Sequence, residues 1–362
     1  MQVNVNFRAI GLALGAFVLG IGFGVSPQHI PLPKPAPAPV PTPPPTPPPA
    51  PVKPDWFGWI NDGGHKAIAA TMPRLSQAAP GLMKARDASD GRPILLYKAW
   101  TDLFASDPPY VPQQIGDCVS FGHGHANDLL QCIEFCLTKP GQVPKPGDIQ
   151  ETDTEWIYGA SREISGNLGR QDGSYGAAAV KAMTQWGVVS RRMLGPDGAY
   201  SGHRAKSWGL HGPPDSVKAI AAKYRLGSAA QVTTWDELVA ALHTGHPVTI
   251  CTGQGFSLTR DSQGFCRAQG RWGHCMFIAG ARFDRPGACI IQSWGPQMPT
   301  GPTDLDQPSY SFWADRSVIE RILSEGDSWA LSKAPHFGQA STKGKRRLPD
   351  SWRSATPARK AA

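Results

Sequence analysis

From Ala9 to Val25 the chain is apolar at every position, glycine included, with Arg8 before the run and Ser26, Pro27 and Gln28 after it. Seventeen such residues are the short limit for a bilayer-spanning helix, and the flanks lack the small-x-small pattern of a signal-peptidase site. Residues 1–26 therefore read as an uncleaved N-terminal membrane anchor, with a cleaved signal as the alternative. Arg8 on the short leading side places the N-terminus in the cytoplasm and the remainder outside, so the expected location is a single-pass membrane protein with an extracytoplasmic domain, or a secreted one after cleavage.

Nearly every second residue from Pro31 to Pro54 is proline, which makes residues 27–54 a polyproline II linker of about 3.1 Å per residue. Residues 55–92 carry Trp56, Phe57 and Trp59 and then a weakly helical stretch from His65 to Leu82, broken by Pro73 and Pro80. They read as a short pro-segment or as the first elements of the fold. Helical and strand-like periods alternate across 93–332, the span of one domain, and 333–362 is a polar basic tail expected to be disordered.

Charge changes this picture in one respect. The formal charge is +8, but eight Lys or Arg against Asp350 alone place +7 of it from Lys333 onward. The preceding chain is close to neutral, so no basic groove for nucleic acid is expected. Seven cysteines without a CxxC pair argue against a zinc ribbon or a dense disulfide framework. Cys132 and Cys136 share a helix face, but His123 and His125 do not join them in a ligand set, so no metal and no cofactor is expected. Cys251 and Cys266 flank a polar loop, where a disulfide between them is one possibility.

Candidate chemistry lies in three stretches. In Gln113-Gln114-Ile115-Gly116-Asp117-Cys118-Val119-Ser120-Phe121-Gly122, turn residues precede the cysteine and apolar periodicity follows through Leu129, Leu130, Ile133 and Leu137. This puts the Cys118 thiol on the first turn of a helix, where the partial positive charge of the helix end lowers a thiol pKa. Asp117 reads as a solvated loop acid. Gly273-His274-Cys275-Met276-Phe277-Ile278-Ala279-Gly280 reads as a buried strand opening with a histidine. After a turn at 284–287, Ala288-Cys289-Ile290-Ile291 returns as a second strand and ends in Gln292-Ser293-Trp294-Gly295.

These pieces resemble the papain-like (C1) cysteine peptidases, whose pattern is Q-x-x-x-G-x-C-[WV]-[AS]-F, then H-[AC] with an aliphatic run, then N-S-W-G. His274 follows Cys118 by 156 residues, close to the separation of about 130 to 150 in that family. Asp172-Gly173-Ser174-Tyr175-Gly176, with the helical pattern from Val180 to Gly187, is similar to the family's glycine-rich substrate-cleft loop. Trp235 to Leu242 and Pro247 to Ile250 are similar to a helix and first strand of its β-rich half.

The resemblance implies an α+β, papain-like two-lobe fold, with a helical lobe led by the Cys118 helix and a β-rich lobe carrying His274. It implies hydrolysis of peptide bonds in a peptide or protein substrate, with a Cys118 thiolate as nucleophile, a His274 imidazolium beside it and no cofactor. Gln292, where the family has asparagine, would orient the imidazole, and Trp294 would shield that bond. The family's oxyanion glutamine stands where this chain has Pro112, so the role falls to Gln113 or Gln114. Two alternatives remain: an NlpC-type peptidoglycan amidase, and an inactive papain-fold module that binds peptide.

Overall fold

The computed structural model describes residues 57–87, 90–295, 297–335 and 347–354. The apolar run at 9–25 and the proline linker at 27–54 lie outside the described residues. Among the described residues no helix is long and apolar enough to cross a membrane.

Three short helices open the fold: α1 (Gly64–Ala69), α2 (Leu75–Ala78) and α3 (Pro80–Asp87). Pro80 sits at the first position of α3, where a missing N–H costs nothing. Strand β1 (Ile94–Leu95) and α4 (Lys98–Phe104) lead to α5 (Cys118–Thr138), which begins at the candidate nucleophile. Next come α6 (Thr154–Ile164), α7 (Gly176–Lys181) with a π turn over Ala182–Trp186, a 3-10 stretch at Arg191–Gly198, α8 (Gly202–His211) and α9 (Asp215–Ala221). Asp153 caps α6 by accepting from the Trp156 N–H at 2.7 Å, and Ser201 caps α8 in the same way.

The second half is built on a sheet. Its strands are β2 (Ser228–Gln231), β3 (Val248–Phe256), β4 (Ala268–Arg282), β5 (Gly287–Ile291), β6 (Ser311–Asp315) and β7 (Ser328–Ser332), with α10 (Trp235–His243) and α11 (Arg316–Ser324) between them. The strand order is β2-β7-β3-β4-β5-β6, every pairing antiparallel, and β1 pairs with the far end of β4 through Ile94 opposite Ala281 and Leu95 opposite Gly280. The expected hairpin is present, but β4 begins at Ala268, six residues before His274, so His274 lies inside the strand rather than at its start.

From His274 to Arg282 β4 is buried at every position, because it is covered on both faces. Helix α5 packs against it closely enough that a Cβ on Gly122 would lie 3.0 Å from Cys275 Sγ and 3.2 Å from the Met276 carbonyl oxygen. This contact joins the two halves along the line where the candidate residues sit.

Residues 347–354, within the stretch expected to be tail, pack against the body. Leu348 and Trp352 are buried, the Trp352 Nε1–H donates to Asp102 Oδ2 at 2.6 Å, and Arg353 pairs with Asp90 at 2.6 Å. Composition gave a basic segment; burying the indole overrides it.

Candidate active site

Residues 115–117 turn the chain into α5 and leave Cys118 as its first residue. Asp117 is not a solvated acid. It is fully buried, burial pushes its carboxyl well above the usual range, and the Tyr200 hydroxyl donates to Oδ2 at 2.9 Å. Behind that tyrosine lies a buried ionic group in which Arg191 bonds Glu155 at 2.8 Å and Arg204 bonds the other Glu155 oxygen at 2.5 Å. Gln114 is drawn to the same side, its backbone N–H donating to Tyr200 Oη at 3.0 Å and its Oε1 accepting from Gly202 N–H at 3.1 Å.

The Cys118 sulfur rests on the backbone flanking His274. It accepts from the Cys275 N–H at 3.3 Å and is 3.9 Å from the Gly273 carbonyl oxygen. Thus Cys118 meets residues 155 and 157 positions further along, on either side of His274, where α5 abuts β4. The expected lowering of the thiol pKa is not found. Burial pushes the Cys118 thiol far up, Cys275 and Asp117 add to this, and the N–H groups of Cys275 and Gly58 offset only part of it.

What buries the sulfur is the chain's own N-terminal segment. Gly58 and Trp59 N–H groups both donate to the Gly273 carbonyl at 2.9 Å. On the opposite wall Ser174 N–H donates to Gly58 O at 2.8 Å, and Ile60 N–H donates to Ser174 O at 3.0 Å, forming a parallel bridge between Trp59 and Ser174. Residues 58–60 thus run as an extended peptide across the groove over Cys118. Open clefts flank this strand, one bordered by Gln171 and Asp172, the other by Gly253, Arg271 and Trp272.

Two buried groups hold the strand and its wall. Asp327 accepts from the Trp59 indole at 2.8 Å, from the Gly176 and Ala177 N–H groups at the start of α7, and from the Trp329 indole. Arg162 donates to the carbonyls of Asn167, Arg170, Gln171 and Gly173, shaping the loop that presents Ser174, while Gly173 itself sits at φ +123°. Sequence reasoning missed Asp327, Arg162 and Gly58, since each acts through partners more than 100 residues away or through a loop backbone without a motif.

His274 is fully buried, and neither ring nitrogen has a hydrogen-bond partner among the described residues. Its ring stacks on Trp294, with centroids 4.5 Å apart and planes at 27°, and Trp272 approaches edge-on. Burial lowers its pKa to about 3. The ring is neutral in this state, and it makes no hydrogen bond to Cys118.

Two expected partners are engaged elsewhere. Gln292 does not orient His274. Its Nε2 donates to Gly295 O at 3.3 Å and Met298 O at 2.5 Å, and its Oε1 accepts from the Trp294 N–H, so the amide folds the following loop instead. Gln113 is buried, its Nε2 donating to Ile115 O at 2.9 Å and its Oε1 accepting from Ser293 Oγ at 2.5 Å, which ties the loop before Cys118 to the QSWG turn. Gln114 points to α8 and is no oxyanion donor here. The postulated Cys251 to Cys266 link is not formed either, for Cys251 lies opposite Cys275 on β4 while the Cys266 N–H bonds Trp313 O on β6.

No family model and no curated protein matches the chain. Solved structures do. The chain is similar to xylellain, a cysteine protease from Xylella fastidiosa, at 16% identity and TM-score 0.47 over 77% of this chain and 91% of that one. It is also similar to procathepsin B S9 from Trypanosoma congolense, at 9% identity and TM-score 0.47 over 76% and 85%, and to digestive procathepsin L 3 of Tenebrio molitor, at 13% and 0.43 over 67% and 69%.

Proposed function

We propose that the chain is a cysteine peptidase of the papain-like kind, acting on peptide or protein substrates through Cys118 and His274, and that the described state is its covered form. The observation that carries this reading is the strand 58–60, an extended backbone already hydrogen-bonded over the Cys118 sulfur between Gly273 and Ser174. A groove that binds a peptide main chain to main chain is chemically suited to bind another one.

With the strand displaced, water reaches the thiol and the imidazole, and the burial that holds the thiol protonated and the ring neutral is relieved. Cys118 Sγ attacks the substrate carbonyl carbon, His274 takes the thiol proton and returns it to the leaving amine, and water then hydrolyses the thioester. The Cys118 N–H at the α5 terminus would face the developing oxyanion. Trp294 keeps the ring in place by stacking, and the Gln292 amide holds the Trp294 backbone rather than the imidazole. The apolar run at 9–25 and the proline linker would hold this domain outside a membrane; extraction of membranes with alkaline carbonate tests this, and release of the full chain into the supernatant would reject the anchor.

A second reading is a peptide-binding module without turnover, favoured by the engagement of Gln292, Gln113 and Gln114 in other bonds. An epoxide probe of the E-64 kind, with mass mapping of the adduct, and casein digestion separate the two. Labelling at Cys118 with casein cleavage supports the peptidase. A folded chain that neither labels nor cleaves, even with Gly58 replaced by alanine to loosen the strand, leaves the binding module.

A further inference from the structure

Behind the Cys118 sulfur, Cys251 on β3 and Cys275 on β4 stand directly opposite each other in the strand register. The Cys251 N–H is spent on Asp327 O, on the β7 side, and the Cys275 N–H on Cys118 Sγ. Neither is used between the two strands, so this is a non-hydrogen-bonded antiparallel pair, the class with Cα atoms about 4.5 Å apart and side chains closest. That spacing lies inside the disulfide range of about 4.4–6.8 Å. The sulfurs point at each other and are 2.7 Å apart.

The surroundings make room for this pair alone. A Cβ on Gly122 would come within 3.0 Å of Cys275 Sγ, and a Cβ on Gly176 within 2.8 Å of Cys251 Sγ, so a glycine on each covering helix leaves the space for one sulfur. His123 Nδ1 lies 3.9 Å from Cys275 Sγ, and its Nε2 meets Thr249 Oγ1 at 3.0 Å, which fixes the ring beside the thiol. Burial raises the Cys275 thiol, while the Cys251 and His123 contacts lower it by more, so its pKa lies below the usual thiol value.

We propose that Cys251 and Cys275 are joined as a cross-strand disulfide that fixes β3 to β4 directly behind the candidate nucleophile. The oxidant is a second disulfide, that of a dithiol oxidase or of oxidised glutathione. The thiolate of one cysteine attacks one of its sulfurs and releases a thiolate; the thiolate of the other cysteine then attacks the protein sulfur of the mixed disulfide and releases the second. Two electrons and two protons leave with the oxidant's pair of thiols. Because both sulfurs are buried in the folded domain, the exchange takes place before α5 closes over the sheet. The bond holds the Cys275 N–H against Cys118 Sγ.

The test uses the full chain recovered from an oxidising secretory compartment, quenched in acid, alkylated in denaturant without reductant and mapped by mass spectrometry after peptic digestion. The expected result is a peptide pair linked through Cys251 and Cys275, with both residues protected from alkylation. Alkylation of both in the unreduced chain, or a link from either to any other cysteine, Cys266 included, overturns the proposal. Complete reduction, verified by alkylation at both positions, lowers Tm by about 5 °C in the wild-type chain. The Cys251→Ala, Cys275→Ala double variant shows no such reductant effect; an equal fall in that variant overturns the assignment as well.

Discussion

A Cβ on Gly58 would lie 2.0 Å from the Gly116 carbonyl oxygen, so residue 58 must be glycine for the strand to lie over the sulfur. Gly58→Ala is predicted to destabilise the covered state by about 1–3 kcal/mol, the usual cost of overpacking. Epoxide labelling of Cys118 then rises about tenfold while the circular-dichroism spectrum is unchanged. Labelling equal to wild type in the folded variant would show that residues 58–60 do not gate the thiol.

Cys118→Ala and Gln292→Ala separate chemistry from scaffolding. The first removes all labelling and turnover with a Tm near wild type. The second strips partners from the Trp294 N–H and the Met298 carbonyl and costs about 1–3 kcal/mol of stability, with a smaller loss of kcat. Denaturant midpoints beside casein assays check both; a stable, inactive Gln292→Ala would restore the amide to a direct catalytic role.

His274→Phe keeps the stack on Trp294 and removes a buried base. In the folded chain the His274 pKa is about 3, against about 6.5 unfolded. As pH falls below about 6.5 the unfolded chain takes up this proton first, and the wild type loses stability down to about pH 3 at up to about 1.4 kcal/mol per unit. The phenylalanine variant lacks this loss, so its urea midpoint relative to wild type rises from pH 7 to pH 4, while turnover is abolished at every pH. A constant difference between the two midpoints would place the histidine in contact with water.

Asp117 carries the opposite sign. Its folded pKa is raised by burial, so its contribution is most favourable at acid pH, below about 3.8, and declines as pH rises toward the folded value. Asp117→Asn, which retains an oxygen for the Tyr200 hydroxyl, is expected to gain stability over wild type at pH 7 and little at pH 4. Loss of stability at pH 7 would mean that the ionised carboxylate is held by its surroundings.

Trp352→Ala removes a buried indole and its bond to Asp102, and a loss of about 3–5 kcal/mol is expected. Thermal melts of the full chain check this. A Tm within one degree of wild type would return 347–354 to the status of a dispensable tail.

Local pattern was enough to place the helix that starts at Cys118 and the β4–β5 hairpin with His274, since each is written in turn residues and apolar spacing over a few positions, whereas the loop bearing Ser174 was marked only by its resemblance to the family's cleft loop. Their order along the chain also carried the resemblance and the candidate pair. Tertiary structure alone decided what each side chain touches. Gln292 bonds its own loop, Tyr200 holds Gln114 and Asp117, and a glycine admits residues 58–60 to the groove. Such outcomes depend on contacts between residues more than 80 positions apart, or on the reach of a side chain by an ångström or two, and neither leaves a period in the sequence. The pairing of Cys251 with Cys275 belongs with them, because it follows from strand register, which only the folded sheet fixes.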